Sequence, residues 1–245
     1  MRMYTKSGRS RWPLVIGAAV VVIAVGGGIA YTSTRQEVAP AAAPTSAAPT
    51  STPTTTATAP SDGGTSGAGD GNAGAPPTGC LGGQDRDAAM VLAAQTAAPH
   101  SAYGAVEAAT AFYRFLWQYP YPSSRDIASV SSSVIASTAS KSWKDIAGSY
   151  AAAGNNPTQG TITAGVSFHV STTNGLWRVS EDSTSDRVTV EVAVGYVVDG
   201  ALSSTKVAGI GLVMVWENNA WHVESGTVID QAKLAAGGNR FTAGC

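Results

Sequence analysis

From Asp186 to Ser225 apolar and polar residues alternate with a period of two, the pattern of strands that bury one face. Val188, Val190, Val192 and Val194 fall on one side, and Thr189 and Glu191 on the other. In the next run Ile210, Leu212, Met214 and Trp216 share a face. Asn218-Asn219 then has the composition of a two-residue hairpin turn, because Asn tolerates positive φ. That register sets Trp216 opposite Trp221 and Met214 opposite Val223, all on one face. The pattern predicts a twisted antiparallel sheet whose apolar face must be covered by residues that precede Asp186.

Those residues carry helical spacing. Ser101 is placed to cap a helix running to about Gln118, with Ala105, Ala109, Phe112 and Leu116 on one face. Tyr119-Pro120-Tyr121-Pro122 stops it. Ser123 or Ser124 can cap a second helix with Ile127, Val130 and Val134 at its apolar positions. A third is expected from about Ser140 to Ala152, with Trp143, Ile146, Ala147 and Tyr150 on one side and Gly154-Asn155-Asn156-Pro157 closing it. The AAMVLAAQTAA run between Cys80 and Pro99 fits either a short helix or an extended lead-in. From Thr161 the period returns to two: Val166, Phe168 and Val170 alternate with Ser167, His169 and Ser171. Asn174-Gly175 reads as a turn, Leu176 to Glu181 as a short strand, and Asp199-Gly200 as another turn before a polar break. After Ser225 a short helical turn and a Gly-rich tail remain. Helices first and strands afterwards predict an α+β domain, about three helices packed on a curved antiparallel sheet of four to five strands.

Composition divides the 245 residues into unequal parts. Residues 1–12 hold Arg2, Lys6, Arg9 and Arg11 and no acid. Residues 13–31 form the expected transmembrane anchor: Leu14 to Tyr31 is uncharged, and its eighteen residues reach about 27 Å as a helix, at the short end of a bilayer span. Trp12 and Tyr31 flank it as interfacial aromatics, and the basic residues predict a cytoplasmic N-terminus with everything after residue 31 outside. A cleaved signal peptide is the alternative, with Gly28 and Ala30 as the small residues before the cut, although the apolar run exceeds the ~7–15 residues of a signal core. Residues 32–79, rich in Pro, Thr, Ala, Ser and Gly with seven prolines and no aromatic, predict a disordered spacer. Glycosylation of the Thr/Ser cluster around Ser51–Thr58 is the sharper reading of that spacer. Residues 80–245 are long enough for one core. They carry 10 Lys+Arg against 13 Asp+Glu, about −3, a balance that argues against nucleic-acid binding.

The only two cysteines, Cys80 and Cys245, stand at the two edges of the folded zone. In an extracytoplasmic compartment a bridge between them is expected, the alternative being two unrelated thiols. Candidate chemistry is sparse. His169 alternates with serines and reads as solvent-exposed; His222 lies opposite the Trp face and reads as a sheet-surface residue; His100 precedes a helix cap. Glu191, mid-strand, is the best-placed acid and also reads as a surface residue. The three histidines lack metal-ligand spacing, and no GxSxG, HExxH or phosphate loop is present. Phe112, Trp143, Trp177, Trp216 and Trp221 read as core. No catalytic, cofactor-binding or metal site is predicted.

The segments Gly104–Leu116, Trp177–Val198 and Gly211–Ser225, in their order, resemble the nuclear-transport-factor-2-like (cystatin-like) cone. With the basic tail, single apolar segment and Pro/Thr/Gly linker, the layout is similar to single-pass envelope proteins of Gram-positive actinobacteria, namely conjugation or type IV secretion scaffold subunits and mammalian-cell-entry-associated membrane proteins. The resemblance implies a non-catalytic scaffold or interaction module whose partners are other envelope or secretion-system proteins or a second copy of itself. Two other functions fit the same cone. One is a small-ligand or lipid-binding domain, marked by a deep apolar cavity. The other is an enzyme, marked by a carboxylate or His buried in that cavity.

Overall fold

In the computed structural model, the residues described are 74–245 and the backbone of one short strand, β1 (Val22–Ala24). The expected cytoplasmic tail, most of the expected anchor and the linker up to residue 73 lie outside the described residues. No described helix is long and apolar enough to cross a membrane.

Six helices are described where about three were expected. The AAMVLAAQTAA run resolves to α1 (Ala88–Ala97), started by Asp87, whose Oδ1 accepts the Met90 N–H at 2.9 Å. The central helix is α2 (Ala102–Leu116), capped by Ser101, whose Oγ accepts the Gly104 N–H. It is buried from Gly104 to Phe115, so even its polar residues need internal partners. Glu107 accepts the N–H and hydroxyl of Thr78 and the N–H of Gly79. Arg114 donates through Nη2 to the carbonyls of Gly83, Gln84 and Asp85. These two side chains strap the lead-in segment to the helix. After the two-residue strand β2 (Gln118–Tyr119) comes α3 (Ser124–Ser133), capped by Ser123. The expected third helix is broken in two, α4 (Lys141–Lys144) and α5 (Ile146–Ala153). Asp145 leaves helical geometry between them and accepts the Gly148 N–H at 2.8 Å as the cap of α5.

The sheet is a curled, antiparallel half-barrel. Its long strands are β3 (Phe168–Val179), β4 (Arg187–Val198), β5 (Ala201–Glu217) and β6 (Ala220–Thr227), paired in chain order. The Asn218-Asn219 hairpin forms as expected, with φ of 52° and 60°, and the register sets Trp216 opposite Trp221 and Met214 opposite Val223. Two expectations fail. Asn174-Gly175 does not separate two strands; β3 runs through it, and the register against β4 shifts between Ser171 and Leu176, so the positive φ of Asn174 serves a bulge. The polar break after Asp199-Gly200 is instead the start of β5, which pairs back on β4 from Ala201. β1 runs antiparallel to β5 at Lys206–Ala208.

The concave face packs under α1, α2 and α3. Val188, Val190, Val192, Val194, Ile210, Leu212, Met214, Trp221 and Val223 are buried there with Phe112 and Phe115. On the other side α6 (Gln231–Gly237) packs on β3 and β4, and β7 (Asn239–Arg240) pairs antiparallel along the β3 edge at Leu176–Trp177. The Cys80–Cys245 disulfide ties this tail to the start of the domain. Thr172 in the β3 bulge holds the same end, donating its N–H to the Cys245 carbonyl and accepting the Cys245 N–H.

Candidate functional site

Beside the break at Asp145, between α4, α5, the C-terminal end of α2 and strand β6, lies a cleft of about 580 Å³. That volume falls within the range of small-molecule sites. Phe112, Leu116 and Ile146 form its apolar base, and Trp143, Trp117 and Tyr150 add aromatic walls. Trp143 lies against β6 because residue 226 is glycine: a Cβ there would stand 2.7 Å from Trp143 Cζ2. Tyr150 is stacked on Tyr121 with ring centroids 4.2 Å apart.

Several polar groups in the cleft are engaged with the protein, whereas Trp143 Nε1, the Ser225 hydroxyl and the Gln159 amide make no hydrogen bond among the described residues. The Tyr150 hydroxyl donates to the Leu116 carbonyl at 2.9 Å, and Trp117 Nε1 donates to the Tyr196 hydroxyl at 2.9 Å. Gln118 Nε2 donates to the carbonyls of Arg86 and Phe115. Burial, and next the nearby Tyr121, push the Tyr150 phenol far above its ordinary range, so it stays protonated. The described lining contains no Asp, Glu, Lys, Arg or His. The described lining is thus an apolar and aromatic surface with serine hydroxyls and amides but no carboxylate, imidazole or charged clamp.

The residues weighed for chemistry in the sequence are scattered and do not meet in this cleft. Glu191, expected at the surface, is buried. Its Oε2 accepts from Arg178 Nη1 at 3.1 Å and its Oε1 accepts the Asp230 N–H at 3.0 Å. The alternation put it on the convex face correctly, but the C-terminal segment that closes over that face lies about forty residues downstream and leaves no local signature. His222, expected as a surface residue, faces away from the Trp side as predicted. Its side chain nevertheless keeps only 12 % exposure, with Glu217 3.9 Å away. His169 is half-buried where exposure was expected, because β2 pairs beside it at Gln118. Burial, with Arg86 and Arg114 nearby, lowers its imidazole pKa to about 4. His100 does precede the α2 cap, and it stacks on Trp216 with centroids 4.2 Å apart and Nε2 2.7 Å from Asp186 Oδ1. Trp216, expected in the core, is half-buried against that imidazole, whereas Trp221 is fully buried. Among the described residues, no three His, Cys, Asp or Glu side chains gather in a way that could hold a metal ion.

Sequence reasoning missed the cleft because Trp143, Ile146 and Tyr150 have the spacing of a core-facing helix. The available signal was the small or polar side of the same helix, Ser149, Ala152 and Ala153, which leaves space beside the aromatic side chains. Comparison of the chain with protein-family models, with curated proteins and with solved structures finds no match.

Proposed function

We propose that this chain is a single-pass envelope protein whose outer domain is a non-catalytic binding module, with the α5 cleft as its ligand site. The observation that carries the reading is the cleft itself: about 580 Å³, apolar and aromatic, without an ionised side chain in its described lining. Of the functions open to a nuclear-transport-factor-2-like cone, this favours small-ligand or lipid binding over catalysis, which needs a carboxylate or imidazole in the cavity. The uncharged run Leu14–Tyr31 behind four basic residues supports anchoring, with the domain outside the cell.

A second reading, a scaffold in a conjugation, secretion or transport apparatus, is favoured by the upper half of β5. From Ala201 to Gly209 this strand has β4 on one side and, among the described residues, only the three residues of β1 on the other. Insertion of residues 13–31 into a bilayer as a helix withdraws β1 and opens that edge to an extended segment of an envelope partner.

One experiment separates the readings: purification of the full chain from its native membrane, with and without crosslinking, followed by mass analysis of proteins and extractable small molecules. A stoichiometric apolar compound, absent from an Ala153→Trp preparation, is the expected result. A defined set of crosslinked envelope proteins with no bound compound replaces the first reading by the second, and neither product refutes both.

A further inference from the structure

The cleft carries information about the charge of what it holds. A ligand that enters it loses water from the part that sits between Trp143 and Tyr150, and a charge there needs a counter-charge or several free hydrogen-bond partners. No counter-charge is present in the described lining, and its free polar groups are few. Of the charged side chains next to lining residues in sequence, Lys144 Nζ donates to the Ser137 carbonyl at 2.7 Å, Asp145 caps α5 and Glu224 pairs with Arg187, while Lys141 is exposed and outside the lining. Three of the four serine hydroxyls in the lining are engaged, Ser140 with Ser142 at 2.8 Å and Ser149 with the Asp145 carbonyl at 3.1 Å. Gln159, at the rim, is uncharged and supplies no counter-charge to a head group that lies against it.

We infer that the cleft selects an uncharged ligand, an apolar body bearing at most a neutral hydroxyl or amide head, and rejects the same body carrying a carboxylate or an ammonium group. This rests on the cleft being a ligand site and adds the class of ligand. The basis is subtraction: the aromatic walls reward apolar surface of any kind, and the absence of ionised partners removes compensation for either sign of charge.

The test uses the full chain in lipid nanodiscs and three photoreactive probes with one alkyl chain and a mid-chain diazirine, ending in a hydroxyl, a carboxylate or an ammonium group. At about pH 9 the acid is ionised and the amine remains largely protonated. Labelled peptides are mapped by mass spectrometry and scaled to the probe concentration in the bilayer. The alcohol is expected to label the peptide holding Trp143 and Tyr150 at least about tenfold more than either charged probe. Ala153→Trp at the rim and Gly226→Ala under Trp143 should each remove that labelling. Val228→Ser, at a residue 69 % exposed and outside the cleft, should leave it unchanged. An intact Cys80–Cys245 bridge and an unchanged melting transition certify the folded state of each variant. Equal labelling by the carboxylate or amine overturns the selectivity while leaving the ligand site standing. No labelling of that peptide by any probe overturns both.

Discussion

Substitution of Trp221 by alanine, set against substitution of its neighbour His222, probes the register on which the sheet depends. Trp221 is fully buried on the concave face, its Nε1 donates to the Pro99 carbonyl at 2.9 Å, and its own carbonyl accepts from Gln95 Nε2 at 2.9 Å. Its ring meets Trp216 edge-on with centroids 5.3 Å apart. Truncation of a buried aromatic costs ~3–5 kcal/mol, and leaving the Pro99 carbonyl without its partner raises the figure toward the upper end. A domain of this size shifts its melting temperature by about 2–4 °C per kcal/mol, so Trp221→Ala should lower it by roughly 6–20 °C. His222→Ala should cost within about 1 kcal/mol. The lost packing of a mostly covered side chain is offset by removal of an imidazole whose ring nitrogens have no hydrogen-bond partner among the described residues. Chemical and thermal unfolding of both variants, followed by far-UV circular dichroism, measure the contrast. A larger loss from His222→Ala than from Trp221→Ala refutes the pairing, because a one-residue slip exchanges the faces of the two side chains.

Reduction of the Cys80–Cys245 bridge, or Cys80→Ser, should destabilise the domain by up to about 5 kcal/mol, the loop-closure entropy for a sequence separation of 165; unfolding with and without reductant measures it, and an unchanged midpoint counts against the bridge. His169 sets a pH dependence whose sign follows from its lowered folded pKa of about 4. The unfolded state binds the proton first, so this contribution is complete above about pH 6.5 and is lost as pH falls toward 4. His169→Asn should flatten the melting temperature between about pH 6.5 and pH 4, and an unaltered slope would falsify the assignment.

Local rules were enough for much of the fold. Capping at Ser101 and Ser123, the Asn218-Asn219 turn and the alternation through β4, β5 and β6 act over a few residues, so their outcome can be read from a few residues. The position of the two cysteines at the edges of the folded zone also anticipated the bridge that forms. Where expectation and structure part, the cause is a segment distant in sequence. β2 pairs beside His169; the Asp230 N–H and Arg178 close over Glu191; Trp216, expected in the core, is held half-buried by stacking on His100.

By itself, then, the sequence determined the α+β class, the hairpin register, the apolar concave face and the ends that the disulfide joins, since hydrophobic period, turn residues and caps are encoded within one element. Only the tertiary structure decided that Asp145 divides a helix, that Gly226 admits Trp143 against β6, and that a cleft without ionised side chains opens beside Tyr150. A cavity is the space left by elements that meet from distant parts of the chain, and no period or motif within any one of them records the gap between them.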